Sequence, residues 1–160
     1  MAVIDYRGEN NLYRNAVLNC IEVLKKFSSE SGREIKQYYE EDVWVPKTPC
    51  FVVLFGRSDD EMRSSQNLSR IRYTIPILLE IRYYYEDLTE ETKRNEITYV
   101  LWEVNELLKK NITLNGFVPK LGTEVTGVRW APQPRGENRF LAGGIISLLV
   151  KKLYSTSITL

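Results

Sequence analysis

The chain has 160 residues, 43% hydrophobic and 27% charged, which suits one globular domain with its own core and argues against both a second domain and disorder. Twenty-two basic and 21 acidic residues leave a net charge of +1, so no global field draws the chain onto nucleic acid or a membrane surface. Histidine is absent, which removes the commonest general base and the commonest transition-metal ligand.

The opening Met1-Ala2-Val3-Ile4-Asp5 has no basic region followed by a hydrophobic stretch, and no apolar run approaches the ~20 residues that span a bilayer. Cytoplasmic synthesis in a reducing environment is the expectation. From about Asn11 to Phe27, Leu12, Tyr13, Ala16, Val17, Cys20, Ile21, Leu24 and Phe27 recur at helical spacing and predict an amphipathic helix, closed by Ser28, Ser29, Ser31 and Gly32. A charged, tyrosine-containing stretch then leads to Val43-Trp44-Val45, an edge strand or connector confined by Pro46 and Pro49. Cys50 to Phe55 is a short apolar run between Pro49 and Gly56, as expected of a strand buried on both faces. Cys20 and Cys50 read as small buried hydrophobes, not a disulfide.

Gly56 to Arg70 is poor in apolar residues and rich in charge and serine, which predicts a long loop suited to partner contact. Ile71 to Tyr85 follows with an apolar or aromatic side chain at every odd position. That is strand periodicity. Fifteen extended residues reach roughly 50 Å, whereas a compact chain of this length has a radius of gyration of about 15 Å. The strand must bend or project beyond its own core, toward a neighbouring molecule. Pro76 at its centre cannot donate to a ladder, which predicts a sheet edge or a bulge there.

Residues from about 89 to 110 read as a second amphipathic helix, capped by Asp87 or Thr89, with Ile97, Val100, Leu101, Val104, Leu107 and Leu108 as its buried stripe. Glu96 and Glu103 fall on faces expected to stay in water. Asn115-Gly116 marks a turn between hairpin-like apolar pieces at Ile112 to Leu114 and Phe117-Val118, followed by a strand from Glu124 to Trp130. Arg135 and Glu137 lie in the Pro-stiffened loop Ala131 to Asn138, held toward a partner. Residues 139 to 154 read as a central strand, with Gly143-Gly144 allowing a bend, a bulge or close approach of another backbone. The fold class expected is a single α+β domain over residues 1–160: a mainly antiparallel mixed sheet with long strands near 71–85 and 139–154 and two amphipathic helices.

Carboxylate clusters at 40–42, 59–61 and 86–87 fall in loops or at a helix start and recur at no ligand-loop spacing, and the glycines are too scattered to cradle phosphate. No catalytic residue, metal or other cofactor is expected. Arg70, Arg72, Tyr73 and Arg82 to Tyr85 mix cations with rings, as in a base-stacking sheet, but the tyrosine phase matches the isoleucines and points to core or interface instead. Trp44, Trp102 and Trp130 read as packing residues unless exposed, when each would make an association anchor. Of Tyr83, Tyr84 and Tyr85, at least one is expected to point outward.

The order of these elements resembles the tail terminator, or tail completion, proteins of long-tailed bacteriophages. The likeness is carried by the Asn11 to Phe27 helix, the Ile71 to Tyr85 strand, the Asp87 to Lys110 helix and the apolar Phe140 to Val150 strand. It implies a non-catalytic virion protein, assembled in the host cytoplasm, of which six copies form a ring on the head-proximal end of the tail tube. Such a ring stops tube growth and joins the head connector or neck protein, with no membrane contact and no sequence-specific nucleic-acid binding. On that resemblance Ile81, Arg82, Tyr83, Tyr84 and Tyr85 would face a neighbouring subunit, and Arg57, Asp59, Asp60, Arg63, Arg135 and Glu137 would meet tube or connector. The alternatives are a self-associating adaptor of another kind and a nucleic-acid-binding α+β module.

Overall fold

Asn11 caps the first helix by accepting the Arg14 amide proton on its side chain at 3.1 Å, and α1 (Leu12–Leu24) turns its apolar stripe inward from Ala16 on, while Tyr13 of the expected stripe is exposed. A computed structural model of the chain describes residues 11–66, 70–86, 90–134 and 140–157. The helical path continues past the expected stop at Ser28. After one turn residue at Lys25, α2 (Lys26–Ser31) carries the serines, and Gly32 closes it in the left-handed conformation with φ 73°. The serine hydroxyls do not break the helix because they bond back to it, Ser29 to the Lys26 carbonyl and Ser31 to the Phe27 carbonyl.

Among the described residues seven strands form one sheet: β1 (Gln37–Tyr39), β2 (Cys50–Ser58), β3 (Met62–Gln66), β4 (Arg70–Glu86), β5 (Thr123–Trp130), β6 (Gln133–Pro134) and β7 (Phe140–Ser157). The main path runs β1-β2-β4-β7-β5, with β3 beside β4 and β6 beside β7. Only the β1–β2 pair is parallel. The single α+β domain is as expected, with both long strands in place. Val43-Trp44-Val45 belongs to a connector and not to an edge strand.

One expectation is overturned. Gly56 to Arg70 is not a long loop: β2 runs on to Ser58, and after residues 59–61 β3 continues the same line along β4, pairing Met62 with Thr74 and Gln66 with Ile71. β2, β3 and β4 are therefore one long hairpin with a short interruption. The sequence conceals this strand because both of its faces lie beyond the helices, so no apolar alternation is demanded of it. Pro76 explains the interruption. Its carbonyl accepts the Asp59 amide at 3.3 Å and the Ser58 hydroxyl at 2.9 Å, and in an antiparallel ladder a residue's N–H and C=O point the same way. The missing donor faces the gap between β2 and β3, so Pro76 sits at a local sheet edge, as expected, and not at a bulge of β4, whose register with β7 is unbroken.

All helices lie on one face. α1, α2 and α3 (Glu90–Lys110) bury Val17, Phe27, Ile97, Val100 and Leu107 against Phe51, Val53, Ile77, Leu79, Ile81 and Leu148. The buried stripe of α3 is the one its spacing predicts; the proposed caps Asp87 and Thr89 lie outside the described residues. Glu96 and Glu103 do more than face water. Arg33, just after α2, donates from Nε to Glu103 at 2.7 Å and also pairs with Glu96, fastening α3 to the α2–β1 connector. The hydrogen bond to Glu103 is the main influence raising the guanidinium pKa, against partial burial.

The opposite face carries a small cluster, Cys50, Val52, Tyr84 and Leu141, so the two-sided burial expected over Cys50 to Phe55 holds as far as Val53, whereas Phe55 is 43% exposed at the sheet edge. The connector 40–49 is tied to this side: Asp42 pairs with Arg82 at 3.2 Å, and Thr48 Oγ1 accepts the Glu86 amide at 3.3 Å. After α3 the chain forms turns through residues 111–118, not hairpin strands, and Leu114, fully buried, sits at φ 49° beside Asn115 at φ 60°. Burying Leu114 offsets the left-handed backbone penalty of about 1–2 kcal/mol.

Gly143-Gly144 serves close approach, of side chains at both positions and of the neighbouring strand's backbone at Gly143, with no bulge in the pairing to β4. A Cβ at Gly143 would meet the Tyr84 ring at 2.6 Å and the Tyr83 carbonyl at 2.9 Å, and one at Gly144 would meet Leu101 at 2.5 Å. Gly143→Ala is expected to lose about 1–3 kcal/mol by overpacking, while Gly127→Ala, with nothing within 4 Å of its Cβ, stays within about 0.5 kcal/mol of the parent; urea denaturation of the two variants checks this.

Cys20 and Cys50 are free and buried, and burial pushes both thiols from 9.0 up to about 12. Raised acids keep their stabilising contribution below the unfolded-state pKa and lose it as pH climbs through the folded value. The folded chain should therefore resist thiol-reactive probes at pH 8, label at both cysteines once unfolded, and lose stability between about pH 9 and 12.

Candidate functional site

Every residue of β4 pairs with β7, from Arg70 opposite Ser157 to Glu86 opposite Leu141, without a register shift. At ~3.3 Å per residue the 17 residues of β4 span roughly 56 Å. The helices cover only part of that length. On the helix-covered face Ile75, Ile77, Leu79, Ile81 and Tyr83 are buried, whereas Ile71 and Tyr73 are only partly so. Beyond Ile75 the hairpin and the end of β7 continue as a three-stranded blade. Tyr73 stacks on Tyr154 there at 5.3 Å, and the Tyr154 hydroxyl donates to Glu61 at 2.8 Å. Burial first, and that hydrogen bond second, hold the phenol pKa up to about 12. The blade is tied together by ring stacking and ladder bonds in place of a core.

The residues expected to form a subunit interface divide sharply. Ile81, Tyr83 and Tyr84 are 1%, 4% and 1% exposed, so they belong to this chain's own interior and correct the expectation that the tyrosine run forms a contact surface. Tyr84 turns away from the helices into the second cluster, and the paired glycines make room for it. Arg82 and Tyr85 are half-buried; Arg82 binds Glu80 at 2.9 Å and Asp42 at 3.2 Å. Burial also takes Tyr83 and Tyr84 away as platforms for stacking bases.

The expected contact residues at 57–63 sit where the blade leaves the body. Arg57 is exposed near the end of β2 and lies 3.4 Å from Asp59. Asp60 is exposed in the interruption, and Arg63 is exposed on β3 opposite Tyr73. They are brought together by strand pairing, not by a mobile excursion. Arg135 and Glu137 lie outside the described residues.

The structure adds exposed aromatic rings. On α3, Tyr99 and Trp102 are each 62% exposed, with the Lys109 ammonium 5.5 Å from the Trp102 ring, and Trp44 in the connector is 71% exposed. Trp130 is half-buried against the core. A signal for Tyr99 and Trp102 was present in the sequence, since both fall off the Ile97-Val100-Leu101-Val104 stripe. Exposed rings of this size are the usual anchors of protein contact. Among the described residues no three acidic or cysteine side chains gather as a metal site, and no helix is long and apolar enough to cross a membrane.

No protein-family model matches the chain, and no curated protein matches it. The surfaces themselves carry the functional argument. Trp102→Ala is expected to change stability by no more than about 0.5 kcal/mol, whereas Leu101→Ala beside it costs about 2–5 kcal/mol; thermal or urea melts of the pair separate the outward ring from the inward one.

Proposed function

We propose that this chain is a structural subunit that self-associates, and that its assembly is a ring of the phage tail-terminator kind, closing a tail tube and offering a surface to the head connector. The observation that carries this reading is the blade. A strand pair that runs far beyond its own helical cover leaves two half-wet faces and a row of strand edge, which a monomer gains little by building and an assembly uses.

Three further features support it. Near-neutral net charge allows many copies to gather without mutual repulsion. Tyr99 and Trp102 on α3 and Trp44 in the connector stand outward on elements other than the strands of the blade, so one copy offers more than one contact surface, as a head-to-tail arrangement requires. The exposed Arg57, Asp59, Asp60 and Arg63 at the root of the blade suit a polar, exchangeable contact with a tube or connector protein. The reading assigns no reaction, cofactor or catalytic residue to the chain.

Light scattering coupled to size exclusion tests it first: an assembly of six 18.7 kDa chains elutes at about 112 kDa and appears as a ring in negative stain. Added to polymerising tail tube protein, the chain should cap tubes at one end and fix their length. A stable two-fold dimer that leaves tube growth unchanged overturns the proposal.

A further inference from the structure

Among the described residues the sheet leaves open edge on each of its two sides. On one side β5 pairs only with β7. On the other, β1 covers Cys50 to Val52 and leaves 53–58 of β2 with no strand outside them. Among the described residues, no backbone hydrogen bond from outside the sheet reaches either stretch. We propose that these edges are complementary, and that β2 of a second copy pairs against β5, continuing the sheet from copy to copy. The inference rests on the self-association reading above and names its contact surface.

Strand polarity permits it. β2 opposes β4, β4 opposes β7 and β7 opposes β5, so β5 runs antiparallel to β2. A copy brought alongside by rotation continues the alternation without being inverted. Each edge also departs from regular pairing at one residue, Gly56 on β2 and Thr126 on β5, so both bend within the segment that would pair.

The side chains match on both faces. Phe55 and Val125 are cross-strand partners of the buried Leu79 and Leu148, so both edges present this helix-covered face. At the β2 edge Phe55 stands 43% exposed, stacked on Tyr13 at 4.7 Å. At the β5 edge the same face holds a groove of about 490 Å³ between α3 and β5, walled by Leu108, Ile112, Val125 and the 46%-exposed Val128. Asn105 lines it, and its Oδ1 is buried without a hydrogen-bond partner. An incoming aromatic pair fills the apolar wall, and the Tyr13 hydroxyl supplies the kind of donor that the orphaned carbonyl needs.

On the open face one pair of charges matches across the edges, Arg57 on β2 and Glu124 near the start of β5, while Arg129 lies on the same face toward the far end of β5. Arg57 is the cross-strand partner of Leu78 and Glu124 that of Leu149, which places both on that face, and both are exposed. Arg57 already lies 3.4 Å from Asp59 within the chain, an exposed pair that holds it weakly and leaves it available. Such a contact uses different patches on the two copies and therefore closes into a ring when the rotation between copies allows.

The test places one cysteine on each edge, Arg57→Cys and Glu124→Cys, in the full chain. The native thiols are buried and free, so oxidation reports on the new pair. The double variant should give a ladder of covalent oligomers on a non-reducing gel, its top band reading the copy number, and an equimolar mixture of the two single variants should stop at dimer. Separately, Glu124→Arg should weaken assembly by about tenfold or more through like-charge apposition, and adding Arg57→Glu in the same chain should restore it. Far-UV circular dichroism of every variant keeps misfolding out of the comparison. If the parent chain assembles but gives no ladder and ignores the charge reversal, this surface is wrong and self-association stands. If the parent is monomeric and no ladder forms, both this surface and the ring reading fall.

Discussion

The unbroken β4–β7 ladder is the constraint on which the rest of the molecule depends. It fixes the phase of two long strands over their whole shared length, so that Ile77, Leu79 and Ile81 face the helices together with Ile146, Leu148 and Val150. A slip of one residue would turn all of these side chains to the other face. The pair Gly143-Gly144 is part of the same constraint: with no Cβ at either position, Tyr84 and Leu101 close in from opposite faces of β7 without displacing it. Two large side chains and two glycines thereby set how closely the helical layer and the second cluster approach the sheet.

Burial along that ladder is uneven, and the unevenness is what gives the protein surfaces to use. Toward the Glu86 end, β4 lies between helices on one face and the Cys50-Val52-Tyr84-Leu141 cluster on the other. Toward the Arg70 end it is held by β3, by β7 and by the Tyr73–Tyr154 stack. The first half has the hydrophobic contacts that make a domain cooperative, and the second has mainly hydrogen bonds and ring contacts. Pro76 stands between them. Because its nitrogen cannot donate, the neighbouring strand is interrupted there, and Asp59 and Ser58 bond its carbonyl from the break.

The same geometry explains why the tyrosine run misleads as an interface signal. Adjacent rings on a strand point to opposite faces, and a sheet covered by helices alone could bury only one set. Here the far face has a small core of its own, tethered to the connector through Asp42 and Thr48, so Tyr83 and Tyr84 are both taken inside. Among the apolar side chains that remain outward, Phe55 and Val128 lie on sheet edges, Tyr99 and Trp102 on the helix surface and Trp44 in the connector.

The sequence by itself determined what local periodicity encodes. The α1 stripe, the α3 stripe from Ile97 to Leu108, the doubly buried start of β2 and the central place of the apolar run in β7 all follow from spacing and from the polarity of side chains that must leave water. The α+β class follows from their order. Tertiary structure alone decided β3, because a strand outside the core has no apolar alternation to betray it. It also decided the partner of Arg33, since Glu96 and Glu103 lie more than sixty positions away in the chain, and the fate of Tyr84, whose burial depends on a second layer that no single segment specifies. The free edges of β2 and β5 belong to the same class, because an edge is defined by which strands are absent beside it, and that is a property of the assembled sheet.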